Sequence, residues 1–119
     1  NMVIKEIQEE EYVRLRPVGD LDANSSIELD EHIRNLLDAD RIKVLIDCSE
    51  VPYMSSAGLG VFVSYLDEFK DRQGRLVLSN LSPSVAEVFD LLGLSKLIPI
   101  VDSKEEVANL FKGGKLKLK

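Results

Sequence analysis

A single cysteine, a single histidine and no tryptophan leave this chain with few of the side chains that catalysis draws on. One cysteine excludes an internal disulfide. One cysteine with one histidine all but excludes a zinc site of the usual kind, so no metal and no cofactor is expected. Cys48 reads as a small buried thiol at a strand end. His32 reads as a surface or helix-edge residue with no ligand partner. The apolar runs are far too short to span a bilayer, and no signal-peptide pattern is present. A cytoplasmic protein without a membrane partner is the expectation. Lys and Arg number 15 against 21 Asp and Glu, for a net charge of −6. That balance repels phosphate backbones and anionic lipid, so nucleic acid is not an expected partner either. The only basic cluster is the C-terminal run that begins at Lys112.

What is present is an ordinary soluble composition, 45% apolar and 30% charged, in 119 residues. That length suits one domain with its own core. Val3 to Ile7 and Tyr12 to Val18 read as two strands joined through Glu9-Glu10-Glu11. In the second strand, Val13 and Leu15 share one face and Tyr12, Arg14 and Arg16 the other. Pro17 suggests an edge or strand-end position. Gly19-Asp20-Leu21-Asp22 is a loop. Ser25-x-x-Glu28 reads as a capping box for a helix carrying Leu29, Ile33, Leu36 and Leu37. Val44-Leu45-Ile46 is apolar on both faces, as a central strand requires. A helix follows to about Arg72, with Leu59, Phe62, Val63, Leu66 and Phe69 as its buried stripe and Gly74 as its stop. Arg75 to Ser79 is a further strand. Ser82-Pro83 caps a helix that buries Val85, Val88, Phe89 and Leu92, with Gly93 past its end. Ile98 to Val101 is a short last strand. Ser103-x-x-Glu106 reads as a capping box for a final helix with Val107, Leu110 and Phe111.

The predicted order is β-β-α-β-α-β-α-β-α. It implies one α/β domain with a mixed sheet, a β-hairpin followed by β-α units, and about four helices packed against it. The domain is expected over residues 1–112, with residues 113–119 forming a flexible basic tail released by Gly113-Gly114.

The most informative segment is Val51-Pro52-Tyr53-Met54-Ser55-Ser56-Ala57-Gly58-Leu59-Gly60. Two hydroxyls lie where a strand-to-helix connection meets a helix N-terminus. Unpaired backbone N–H groups and the helix dipole favour added negative charge there. Ser56, Gly60 and Ser64 fall at i, i+4 and i+8, a ridge of small side chains away from the expected core stripe. Val61 and Tyr65 flank that ridge and are not needed by the core. This face suits docking of another protein; a merely solvated face fits the pattern equally well. Other chemistry fits worse. The elbow pattern of serine hydrolases needs glycine where Met54 stands, and no base can be placed beside Ser55 or Ser56. Gly58-Leu59-Gly60 lacks the remaining elements of a dinucleotide fingerprint or a P-loop, though a small nucleotide-binding protein stays open as an alternative. Asp20 and Asp22 are two loop carboxylates, weak evidence for a metal.

The run from Val44 to Gly60, with its Ser56-Ala57-Gly58-Leu59-Gly60 core, resembles the signature of the STAS domain family of anti-sigma factor antagonists. That signature is an apolar strand, Asp-[Leu]-Ser, an apolar pair, then Asp-Ser-[Ser/Thr/Ala]-Gly-Leu. Gly19-Asp20-Leu21-Asp22 is similar to the family's loop before its first helix. Ser82-Pro83-Ser84-Val85 and Phe89-Asp90-Leu91-Leu92-Gly93-Leu94 are similar to its third-helix region. The resemblance implies a non-enzymatic partner switch. The unphosphorylated antagonist binds an anti-sigma factor that is also a serine kinase and frees the sigma factor. Phosphorylation releases it, and a serine phosphatase restores it. Carried over by position, the phosphoacceptor is Ser56. Partner binding falls to Asp20, Asp22, Ser55, Ser56, Ala57, Gly58, Gly60, Val61 and Ser64. Ser55 stands where the family has aspartate. A STAS scaffold or sensor in another partner-switching pathway is the alternative within the same family.

Overall fold

Strand alternation divides the apolar residues into two sets, and each set finds its own helices. The computed structural model describes residues 2–113; residues 114–119, nearly all of the expected basic tail, lie outside the described residues. The chain runs β1 (Val3–Gln8), β2 (Val13–Val18), α1 (Ala23–Asp38), β3 (Lys43–Asp47), α2 (Ser56–Asp71), β4 (Arg75–Ser79), α3 (Pro83–Leu91), a 3-10 turn (Leu94–Lys96) and α4 (Lys104–Phe111). The sheet order is β1-β2-β3-β4. β1 pairs antiparallel with β2, and β2-β3 and β3-β4 are parallel. Val13, Leu15, Val44, Ile46, Leu76 and Leu78 point into the main core, against Leu29, Ile33 and Leu37 of α1, Phe62 and Phe69 of α2 and Phe89 of α3. The opposite face is covered by α4, where Leu45 and Val77 meet Val107, Leu110 and Phe111. Tyr12 stacks on Phe111 with ring centroids 4.6 Å apart.

Several elements differ from the sequence reading, each for a local reason. The expected last strand shrinks to one bridge, Leu78 with Ile100. Pro99 has no N–H to continue the ladder. Ile98 donates to Leu94 O instead, which curls the chain into the 3-10 turn. Helix α1 starts at Ala23, with Asp22 as its N-cap, not Ser25. Ser25 sits at N3 and completes the box in reverse: Asp22 Oδ1 accepts from Ser25 N at 2.9 Å and Ser25 Oγ accepts from Asp22 N at 2.9 Å. Glu28 accepts from Met2 N instead. Pro17 is not on an edge strand, because β2 lies between β1 and β3, but it falls beyond the three residues that pair with β3.

Helix α2 is rotated from its expected stripe. Val61 and Tyr65 are buried, and Val63 is 41% exposed. The rotation follows from a second neighbour: α2 packs on α1 as well as on the sheet. Tyr65 Oη hydrogen-bonds Asp30, and Arg34 forks onto Glu68 at 2.9 and 2.5 Å. In α3, Val85 and Phe89 are buried while Val88 and Leu92 are exposed, because only one side of this short helix meets the sheet. His32 does have a partner, Glu6 Oε1 on β1 at 2.8 Å.

Helix α2 ends in a Schellman motif in which Gln73, not glycine, takes the left-handed position (φ 58°). Gln73 N donates to Lys70 O and Gly74 N to Phe69 O. Gly74 serves close approach instead: a Cβ there would lie 2.3 Å from Ile42 O. Gly93 takes the left-handed conformation expected of it, at φ 73°.

Candidate functional site

Two loops that begin helices lie side by side at one end of the sheet. Gly19–Asp22 leads into α1, and Ser49–Ser55 leads into α2. Backbone hydrogen bonds lace them together: Gly19 N to Glu50 O, Leu21 N to Tyr53 O and Ser55 N to Leu21 O, at 2.8 to 3.0 Å. Leu21 and Met54 form a parallel bridge. Both are buried, so the lace is anchored from below.

This arrangement sets two helix N-termini next to each other. Asp22 caps α1, accepting from the backbone of Asn24 and Ser25. Backbone and hydroxyl hydrogen bonds from Ser25 hold its carboxyl below the ordinary carboxylate range. Ser55 caps α2, its hydroxyl accepting from Gly58 N at 3.5 Å. Ser56 occupies the first helical position and is exposed. At α1 the Asp22 carboxylate already serves as the anion, while α2 carries only the neutral cap Ser55, so the positive end of the α2 dipole beside Ser56 still favours added negative charge.

The residues singled out from the sequence separate into two groups. Asp20, Asp22, Ser56, Ala57 and Gly60 are exposed around the laced loops, and Ser55 is half-buried beneath them. Ser64 is exposed too, but lies two turns down α2 with its hydroxyl donating to Val61 O at 2.7 Å. Gly58 and Val61 do not belong to the surface. Val61 is 8% exposed. Gly58 is buried because α2 crosses the lace there; a Cβ would lie 2.8 Å from Met54 Cγ and 3.0 Å from Leu21 Cβ. The space that glycine frees is therefore filled by protein, which leaves no phosphate cradle at Gly58.

Two features escaped the sequence reading. Tyr53 is 55% exposed, adjacent to the lace. An aromatic in the connection between a strand and a helix is the signal that points to it. Asp47 ends β3 and is buried, with Arg16 Nε at 3.1 Å, Ser49 N at 3.0 Å and Asn80 Nδ2 at 3.1 Å. Burial by itself would push this carboxyl up; the bonds from Asn80, Ser49 and Arg16 outweigh it and hold it below the ordinary range. Asp47 thereby fixes the start of the Ser49–Ser55 loop. Nothing in a lone aspartate at a strand end reveals those three partners, which come from β2, the loop and the residue after β4. Cys48 is buried beside it, and burial pushes its thiol up to about 12. Among the described residues no three His, Cys, Asp or Glu side chains converge on a metal position. No helix among them is long and apolar enough to cross a membrane.

Comparison with known proteins matches this architecture. A model of the STAS domain family fits residues 2–107. The anti-sigma-B factor antagonist of Listeria monocytogenes is 34% identical over 104 residues, 87% of this chain and 90% of that protein. The anti-sigma factor antagonist SpoIIAA in its unphosphorylated form has the same fold, with a TM-score of 0.78 at 22% identity, over 96% of this chain and 100% of that one. The phosphorylated form of SpoIIAA, described as a Bacillus cell fate determinant, gives 0.69 at 21% identity, over 92% and 99%. A family model spanning nearly every described residue, and a relative of this identity over most of both chains, establish that the chain belongs to the STAS domain family.

Proposed function

We propose that this protein is an anti-sigma factor antagonist whose partner is an anti-sigma factor acting as its serine kinase, and that Ser56 is the phosphoacceptor. The unphosphorylated form binds that partner and frees the sigma factor. Phosphorylation of Ser56 ends the binding, and a serine phosphatase restores it. The chain acts by binding rather than by turnover.

The observation that carries this reading is the lace between Leu21 and Met54. It groups Asp20, Asp22, Ser56, Ala57 and Gly60 on one exposed surface at two helix N-termini. A phosphate on Ser56 fits the fold, since a helix N-terminus stabilises a nearby anion by roughly 0.3–1 kcal/mol. The same phosphate adds about −1.5 to −2 charges to a surface already holding two carboxylates. Burying that charge against a partner without a matching cation costs several kcal/mol, on the order of a thousandfold in affinity. Ser55 in place of aspartate keeps the cap, because serine and aspartate both accept well at that position.

The test pairs phosphorylation with affinity. Incubation with the cognate kinase and ATP, followed by phosphopeptide mapping, is expected to give one phosphate, on Ser56. Dissociation constants are then expected to rank wild type close to Ser56→Ala, and both far tighter than Ser56→Asp and Gly60→Arg. Equal binding by all four, or a phosphate only on Ser55, overturns the assignment.

A further inference from the structure

The way α1 and α2 run together brings one apolar side chain close to Ser56. Tyr65 meets Asp30, Glu68 meets Arg34, and Arg72 meets Leu37, so partners across the two helices stand 34 or 35 residues apart. A constant offset means that the helices run parallel and in step. On that offset Asp22 is level with Ser56 and Ala57, and Ile27 with Val61 and Phe62. Asp30 and Arg34 face α2, and Ile27 precedes them by three and seven residues, so it borders the same seam. From the other side, Ala57 and Ser64 border it, preceding Glu68 by eleven and four residues.

Ile27 is 60% exposed, the only large apolar side chain of α1 that lies open. The wall of α2 opposite is low. Ala57 and Ser64 are small and exposed, and a Cβ on Gly60 would meet nothing within 4 Å. Helix geometry sets the distance to Ser56. The five residues from Ser56 to Val61 rise about 7.5 Å. Packed helix axes lie about 8–10 Å apart, so Ile27 is roughly 12 Å from Ser56. A protein interface of standard size covers about 800 Å² of each partner, a patch of about 16 Å radius. A kinase centred on Ser56 therefore covers Ile27 as well.

We propose that Ile27 is an apolar anchor for the partner: the kinase that modifies Ser56 carries an apolar socket that takes this side chain, and lies over the low wall of Ala57 and Gly60 beside it. This rests on the reading of Ser56 as phosphoacceptor and adds a contact on α1 to it. Burying the exposed part of one such side chain is worth on the order of tenfold in affinity. Holding the partner and deciding whether it is held are then separate tasks, the first given to Ile27 and the second to Ser56.

The test uses the purified kinase that phosphorylates Ser56 as its probe. Dissociation constants are measured for the whole chain as wild type, Ile27→Val, Ile27→Gln, Leu91→Ser and Ser56→Asp. Glutamine is at least as good a helix former as isoleucine, and an unchanged melting temperature verifies the fold. Ile27→Gln is expected to weaken binding about tenfold and Ile27→Val less than about threefold. Leu91→Ser, which removes an apolar side chain of α3 that is 77% exposed, is expected to leave affinity unchanged. In phosphorylation assays Ile27→Gln is expected to raise KM for this chain about tenfold at unchanged kcat, because Ile27 holds the kinase and takes no part in phosphoryl transfer. If Ile27→Gln binds like wild type while Ser56→Asp does not, the anchor is overturned and the reading of Ser56 stands. Equal losses from Ile27→Gln and Leu91→Ser, or a fall in kcat at unchanged KM, overturn the anchor too. If Ser56→Asp binds like wild type, the reading of Ser56 falls and this inference with it.

Discussion

Three glycines of α2 and its exit look alike in the sequence and differ sharply in what surrounds them. Gly58→Ala is expected to cost about 1–3 kcal/mol in urea denaturation, because its Cβ runs into Leu21 Cβ and Met54. Gly60→Ala has nothing within 4 Å. It is expected to gain roughly 0.5–1 kcal/mol from helix propensity. Gly74→Ala is expected to be the most damaging of the three, since the obstacle is backbone, Ile42 O. Cys48 gives a different check. Its thiol is buried and its ionisation pushed up to about 12, so it is expected to stay unlabelled by iodoacetamide at pH 8 in the folded state and to react on unfolding. At this scale the sequence was legible where a residue acts through its own neighbours in the chain. Gly93 past α3, Ser82 before it and the hydroxyls at the start of α2 are of that kind. Gly58, carried over as partner-binding, is instead buried, and one of the two residues it clears, Leu21, lies 37 residues away.

Helix starts and stripes show the same boundary between local and tertiary causes. The four helices and four of the five expected strands were legible from periodicity and turn residues. The start of α1 was not, since Asp22 and Ser25 are both good caps and only the extended conformation of Asp22 decides between them. Asp22→Ala is expected to lower the melting temperature measurably, while Asp22→Asn, which keeps a capping oxygen, is not. If Asp22 also faces the partner, the asparagine variant loses affinity with its stability intact, so the two readouts together separate cap from contact. The stripe of α2 was misplaced because an apolar count cannot foresee that α1 claims Tyr65, whose hydroxyl meets Asp30, and that Val61 on the same side of the helix is buried with it. Val61→Ala is therefore expected to cost roughly 1 kcal/mol or more through the cavity it leaves, whereas an exposed valine such as Val63 changes stability by about 0.5 kcal/mol or less.

For the whole molecule, acidity is the condition that reports on several contacts at once. Asp22, Asp47 and Glu68 are all held below the ordinary carboxylate range by hydrogen bonds or ion pairs. Each is deprotonated in the folded state at pH values where the unfolded chain has begun to bind protons. Their stabilisation is therefore complete above the ordinary carboxylate pKa of about 4 and is lost as pH falls through the lower folded values. Urea midpoints are expected to stay nearly level from pH 7 to about pH 5 and to drop below about pH 4. Asp47→Asn is expected to shorten that drop while lowering the midpoint at neutral pH. A stability that rises on acidification below pH 4 rules this account out. The lace between the two helix-leading loops has a consequence in time as well as in space. The Leu21–Met54 bridge closes a loop of more than thirty residues, and the chain entropy of that closure is paid before the contact rewards it. A nascent or partly unfolded chain thus carries the serine but not the surface around it. If the proposed kinase reads Ser56 on that folded surface, recognition doubles as a test that the molecule has finished folding, and misfolded copies are then expected to drop out of the proposed switch.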